Sequence, residues 1–190
     1  MTQPRPCLPA EAVRRALSVV GTGVYTLGQG GYDPHVPTKP WTGAGEFSDC
    51  SGFAASWCYR LPRSRPGFNR GPWSTVSDDV STDSVVEDSE HRNELFVAVS
   101  LPQAGDLVVF PGIRLPGQAK RVRIGHIAIV VEVPAEWDPA NPDYSRLGVI
   151  QCFPRRPAVQ RTDGKLWVGR ERFRGDVNPA WRTRIVRVVP

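Results

Sequence analysis

The chain has 190 residues, of which 40% are apolar and 23% charged. That balance suits a folded globular protein and excludes a disordered one. The net charge is +5, and arginine supplies nearly all of it because only Lys39, Lys120 and Lys165 are lysines. Such a surface fits an anionic partner, either nucleic acid or a polymer such as bacterial cell wall, or is simply solvated. No stretch approaches the roughly 18 apolar residues of a membrane span. The four cysteines, Cys7, Cys50, Cys58 and Cys152, form no Cys-x-x-Cys pair and are too few for a disulfide framework, so no zinc site is expected.

In chain order, 10–20 places apolar residues at helical spacing. Residues 21–46 carry Gly and Pro at a density that forbids regular structure, and so read as a long loop lining something. "SDCSGFAASWCYRL" (48–61) reads as a second helix, with Ser48 as N-cap candidate and an apolar stripe of Cys50, Ala54, Trp57, Cys58 and Leu61. On such a helix Cys50 and Cys58 stand about 12 Å apart along the axis, beyond disulfide reach. Residues 74–91 are rich in Ser and acid. They read as a solvated loop or a short helix opened by a Ser84-x-x-Glu87 capping box. From residue 104 the period becomes that of strands: 105–110, 125–133, 147–153, 165–173 and 183–189. Helices first and strands after predict an α+β fold, a central antiparallel sheet packed against N-terminal helices in one domain over 1–190.

A nucleophilic cysteine needs a means to become thiolate, a base and a group that orients the base. Cys50 lies in the first turn of the second helix, where unpaired N–H groups and the helix dipole favour a negative sulfur. A buried structural thiol is the alternative, and Cys58 fits that alternative well. Among the three histidines, His35 lies in the Gly/Pro loop and His91 follows the acidic segment. His126 opens an apolar strand after Gly125, whose missing side chain leaves room beside the ring. Glu132 shares its face but lies about 20 Å away. Gln151, a polar residue within an apolar run, falls on the adjacent strand. Antiparallel pairing can set it beside His126, where its carboxamide would fix the ring, or it faces solvent.

The ordered pieces "YTLGQGG", "FSDCSGF", "PQAGDLVVF", "GHIAIVV" and "VIQCF" resemble the NlpC-type cell-wall cysteine peptidases of the papain-like superfamily, over about residues 10–153. Residues 154–190 would complete the domain with C-terminal strands. The resemblance implies a papain-like fold with the nucleophile at a helix N-terminus, and a Cys50–His126–Gln151 triad. Gln151 stands where that family often carries histidine. Tyr25 matches a tyrosine lining the cleft, though it could equally anchor the loop. Asp49 and Ser51 match residues that hold a substrate's peptide stem, though helix capping explains them equally well. Asp106 of Gly-Asp-Leu reads as a turn residue. The implied reaction is hydrolysis of an amide in peptidoglycan stem peptides, possibly D-glutamyl-diamino acid, without cofactor or metal and without nucleic acid as partner. A non-murein amide or thioester substrate, or a non-catalytic basic binding domain, are the alternatives. The segments 21–46, 62–100 and 134–148 look longer than a minimal member needs and are expected to reshape the cleft. The N-terminus shows no signal peptide, so the expected location is cytoplasmic, or the wall by a phage or dedicated secretion route.

Overall fold

Pro9 begins the first helix at the position where its missing N–H costs nothing. Helix α1 (Pro9–Ser18) then buries Ala12 and Ala16. The computed structural model describes residues 6–21, 24–25, 47–61, 80–112, 125–152, 168–173 and 182–189. Two short strands, β1 (Val24–Tyr25) and β2 (Phe47–Ser48), pair in parallel, Tyr25 against Ser48. A helical segment starts at Cys50 and adopts the wider π form over Gly52–Cys58. It ends where Arg60 takes the left-handed conformation at φ 59°, which stops a right-handed helix. Helix α2 (Thr82–Glu87) continues into a π turn, Asp88–Arg92.

Six strands follow: β3 (Phe96–Val99), β4 (Leu107–Phe110), β5 (His126–Glu132), β6 (Gly148–Cys152), β7 (Val168–Arg172) and β8 (Arg184–Val188). They form one antiparallel sheet in the order β3-β8-β4-β5-β6-β7. The architecture is α+β, with the five expected strands present as β4 to β8. Both faces of the centre are covered, which is why β5 reads as an unbroken apolar run. Ile127 and Ile129 join Leu107, Val109, Ile150 and Val186 in a core shared with Phe53, Ala54 and α1. Ala128 and Val130 turn to the opposite face, with Val108, Phe110, Val149 and Phe173.

One segment differs from the sequence reading. Residues 80–99, expected within a stretch longer than a minimal member needs, are part of the fold. They supply α2 and the edge strand β3, whose alternation is too short to stand out as a strand signal. Helix α2 is capped one turn earlier than expected: Ser81 Oγ accepts the Ser84 N–H, and Ser84 Oγ accepts the Ser81 N–H. Buried Asp88 then accepts the N–H groups of Glu94, Leu95 and Phe96 at 3.3, 2.9 and 2.8 Å, fixing the entry to β3. His35 lies outside the described residues, as does most of 21–46.

The Gly-Asp-Leu motif has a structural account. Gly105 sits at φ +99°, and a Cβ there would lie 2.5 Å from Cβ of Pro9. Its N–H donates to Val130 and its carbonyl accepts the Tyr59 hydroxyl. Asp106 is fully buried. It accepts the Gln103 N–H at 2.8 Å and pairs with both Nε and Nη2 of Arg187 at 2.8 and 2.9 Å. The motif therefore ties α1, β5 and β8 together, in keeping with the turn role read from the sequence.

Candidate active site

The first turn of the π-helix is closed by Asp49. Its Oδ1 accepts the Gly52 N–H at 2.7 Å and the Ser51 hydroxyl at 2.9 Å. Asp49 thus supplies a capping side chain, and Ser48, the expected N-cap, belongs to β2. A carboxylate is the better acceptor for the orphan N–H groups of a helix start. Asp49 and Ser51 are both buried, and the hydrogen bonds described for them are spent within the helix start. That geometry is the capping alternative for this pair.

Cys50 follows within the same turn. Its thiol faces three backbone N–H groups, its own, that of Ser51 and that of Ile127. The Ile127 N–H belongs to the peptide bond joining His126 to Ile127, so the helix start delivers the sulfur to the first residues of β5. Burial outweighs those donors. Desolvation first, and the neighbouring Asp49 second, push the Cys50 thiol up to about 12. The helix start was expected to supply a thiolate, but at 5% exposure the loss of water dominates. Cys50 at rest is a neutral thiol. Cys152, opposite on β6, is likewise raised by burial and by Cys50. All four cysteines are free thiols, and Cys58 is the buried core thiol expected of it. Tyr25 is half-buried; burial, then Cys50, Asp49 and Cys152, raise its phenol. The parallel β1–β2 pair therefore brings Tyr25 into the electrostatic reach of Cys50.

His126 opens β5 in register with Phe110 of β4 and keeps part of its surface exposed. Its Nε2 lies 2.7 Å from Oε1 of Gln151. Gln151 is 2% exposed, so this contact explains a polar residue inside an apolar strand. The β5–β6 register, Ile129 against Ile150 and Val130 against Val149, carries Gln151 to the His126 face. An amide oxygen can only accept, so this contact calls for the proton on Nε2. The ring also stacks on Phe173, at 6.3 Å between centroids and 18° between planes. It tilts against Phe110 at 5.9 Å. Strand alternation thus sends the imidazole to the Phe110–Phe173 face, while the thiol meets the strand backbone at the next peptide from the helix side.

Gly125 has a reason other than room for the ring. A Cβ there would fall 2.2 Å from Oγ1 of Thr82 and 2.7 Å from the Gly112 nitrogen. The start of α2 is pressed against the approach to His126, and Asp83 accepts the Gly112 N–H at 2.7 Å beside it. Sequence reasoning did not find Phe110, Phe173 or Thr82 as neighbours of the site. Aromatic and Thr residues in strands and helix starts carry no signal beyond packing. His91 is exposed near Glu87 and Glu90, at the far end of α2. Glu90 already pairs with Arg182 and Arg184.

No protein-family model, curated protein or solved structure matches the chain.

Proposed function

We propose that the protein is a cysteine amidase or endopeptidase acting on peptidoglycan-type peptides, on a papain-like scaffold of the NlpC type. The observation that carries the reading is the 2.7 Å bond between His126 Nε2 and Gln151 Oε1, two residues picked from the sequence as base and orienter. Cys50, at the start of the helical segment, meets the N–H of Ile127, the residue after His126. In the proposed reaction the Cys50 S–H proton passes to His126 around the start of β5, since the resting thiol lies on the opposite face of that strand from the imidazole, as the sulfur attacks the substrate carbonyl. Burial raises the thiol and so favours transfer in step with attack. Backbone N–H groups at the helix start stabilise the oxyanion. The C–N bond then breaks as imidazolium returns its proton to the leaving amine. Water, deprotonated by His126, attacks the thioester and releases the acid and the thiol. The basic surface suits an anionic wall polymer. No helix among the described residues is long and apolar enough to cross a membrane.

Digestion of purified murein peptides beside protein and thioester substrates, with mass spectrometry of the products, tests the reading. Wild type is expected to cleave the murein stem, and Cys50→Ala to abolish turnover with an unchanged circular dichroism spectrum. Equal survival of the peptides with both proteins would sink it. The burial of Cys50 and its raised thiol favour a second reading, a non-catalytic binding domain on the same scaffold. Retention on insoluble peptidoglycan without release of any peptide, by wild type and Cys50→Ala alike, is the outcome that selects it.

A further inference from the structure

We infer that Cys7 and Cys58 form a redox-modification site, a thiol pair that a small disulfide such as glutathione disulfide oxidises to an intramolecular bridge. The inference stands apart from the chemistry proposed for Cys50. The segment that leads into α1 runs beside the end of the helical segment. The Cys7 N–H donates to the Tyr59 carbonyl at 3.1 Å, and the Cys7 thiol donates to the Cys58 carbonyl at 2.9 Å. The first sulfur is therefore held against the backbone of the residue that carries the second. Contacts at two successive carbonyls bring the chains as near as paired strands, whose spacing of about 5 Å falls within the Cα separation of a disulfide. Cys58 belongs to the main core cluster, and Cys7 packs against that same cluster.

Arg15 sits beside the pair. Its Nε donates to the Trp57 carbonyl at 2.9 Å, and its guanidinium lies 4.2 Å above the Trp57 ring. Its charge favours the thiolate of both cysteines, against the larger opposing effect of burial. Exposure sets the order of events. Cys7 is half-buried, whereas Cys50, Cys58 and Cys152 are buried. A reagent from solvent thus meets Cys7 first, and Cys58, at 0% exposure, reacts from within.

In the first step the Cys7 thiolate, its proton lost to water, attacks one sulfur of the small disulfide. That S–S bond breaks, and one small thiolate leaves and takes up a proton. The Cys58 sulfur, deprotonated in turn, then attacks the Cys7 sulfur and releases the second small thiol. Two electrons pass from the protein thiols to the small disulfide, which ends as two thiols. The bridge pins the approach to α1 onto the far end of the helical segment that starts at Cys50.

The test equilibrates the folded full chain with glutathione disulfide, quenches with acid, and maps the unreduced peptides by mass spectrometry. Wild type is expected to become two hydrogens lighter, with one linked pair of peptides joining Cys7 to Cys58, and dithiothreitol is expected to reverse it. The bridged chain should melt about 5 to 10 °C higher, because the link restricts the unfolded chain. Cys7→Ala should show neither the link nor the shift. Folded Cys58→Ala should stop at a stable mixed disulfide of glutathione on Cys7. Wild type that itself stops at that mixed disulfide, or that links Cys7 to Cys58 only in denaturant, overturns the inference. Should Cys58→Ala not fold, the wild-type peptide map alone decides. None of these readouts needs turnover, so a chain that cleaves nothing yet forms the bridge refutes the peptidase reading and upholds the thiol pair.

Discussion

At the scale of single residues, Cys50 and Gln151 carry opposite lessons. Cys50 stands where a helix start should favour a thiolate, yet desolvation and Asp49 push its thiol up to about 12. Alkylation by iodoacetamide should therefore be slow at neutral pH. It should climb through pH 9 and beyond, because a group with a raised pKa is protonated below that value and gains its reactive anion only as pH approaches it. A rate that levels off below pH 8 would contradict this. Gln151 was conspicuous because a buried amide needs a partner, and the partner is His126. Under the proposed peptidase reading, Gln151→Ala should lower kcat by about a hundredfold with little change in KM, since it would remove an orienter and not a binding group. Measuring both constants on a murein peptide decides the matter, and a change confined to KM would assign Gln151 to substrate instead. Chemistry of this kind was legible in the sequence because it rests on residue type and order. The sign of the Cys50 shift was not, because it depends on how much water neighbouring elements exclude.

At the scale of elements, segment 80–99 was the least legible part. Its Ser- and Asp-rich composition suggests solvent, but Asp88 is wholly buried and accepts three backbone N–H groups of the turn into β3. An acidic residue reads as exposed unless its partners are known, and here they are backbone groups that any sequence supplies together with Arg92, whose Nε lies 3.5 Å from its carboxylate. Asp88→Ala should strip those donors of their acceptor and destabilise the fold by about 3 kcal/mol. That corresponds to a thermal midpoint lower by about 10 °C for a chain of this size. Differential scanning calorimetry checks it, and a midpoint within a degree or two of wild type would show the carboxylate to be dispensable. By contrast, β4 to β8 were legible because runs such as 126–131 have one physical use, the interior of a sheet covered on both faces.

At the scale of the whole molecule, the sheet order β3-β8-β4-β5-β6-β7 places the strand nearest the C-terminus inside the sheet. Strand β8 pairs with β3 on one side and β4 on the other, and Arg187 within it pairs with buried Asp106. Truncation before residue 182 would separate β3 from the rest and leave Asp106 with an uncompensated buried charge. The truncated chain should show no cooperative melt, and a sharp transition followed by circular dichroism would refute the role given to β8. The C-terminal residues thus do more than extend the region that resembles the NlpC-type peptidases. They close the sheet whose centre carries His126.

The sequence by itself determined the class of fold, the strands of the central sheet, and the choice of Cys50, His126 and Gln151. The fold class and the strands follow from local periodicity; the choice of the three residues follows from the resemblance of the ordered motifs to the NlpC-type peptidases, since residue chemistry alone left a structural role open for Cys50 and Gln151. Only the tertiary structure decided that the stretch Asp49–Ser51 caps its own helix, that 80–99 belongs to the fold, and that the Cys50 thiol is held neutral. It also decided that two phenyl rings from strands far apart in the chain meet the imidazole. Those outcomes depend on which surfaces exclude water and which strands become neighbours, and neither quantity is encoded in any short window of residues.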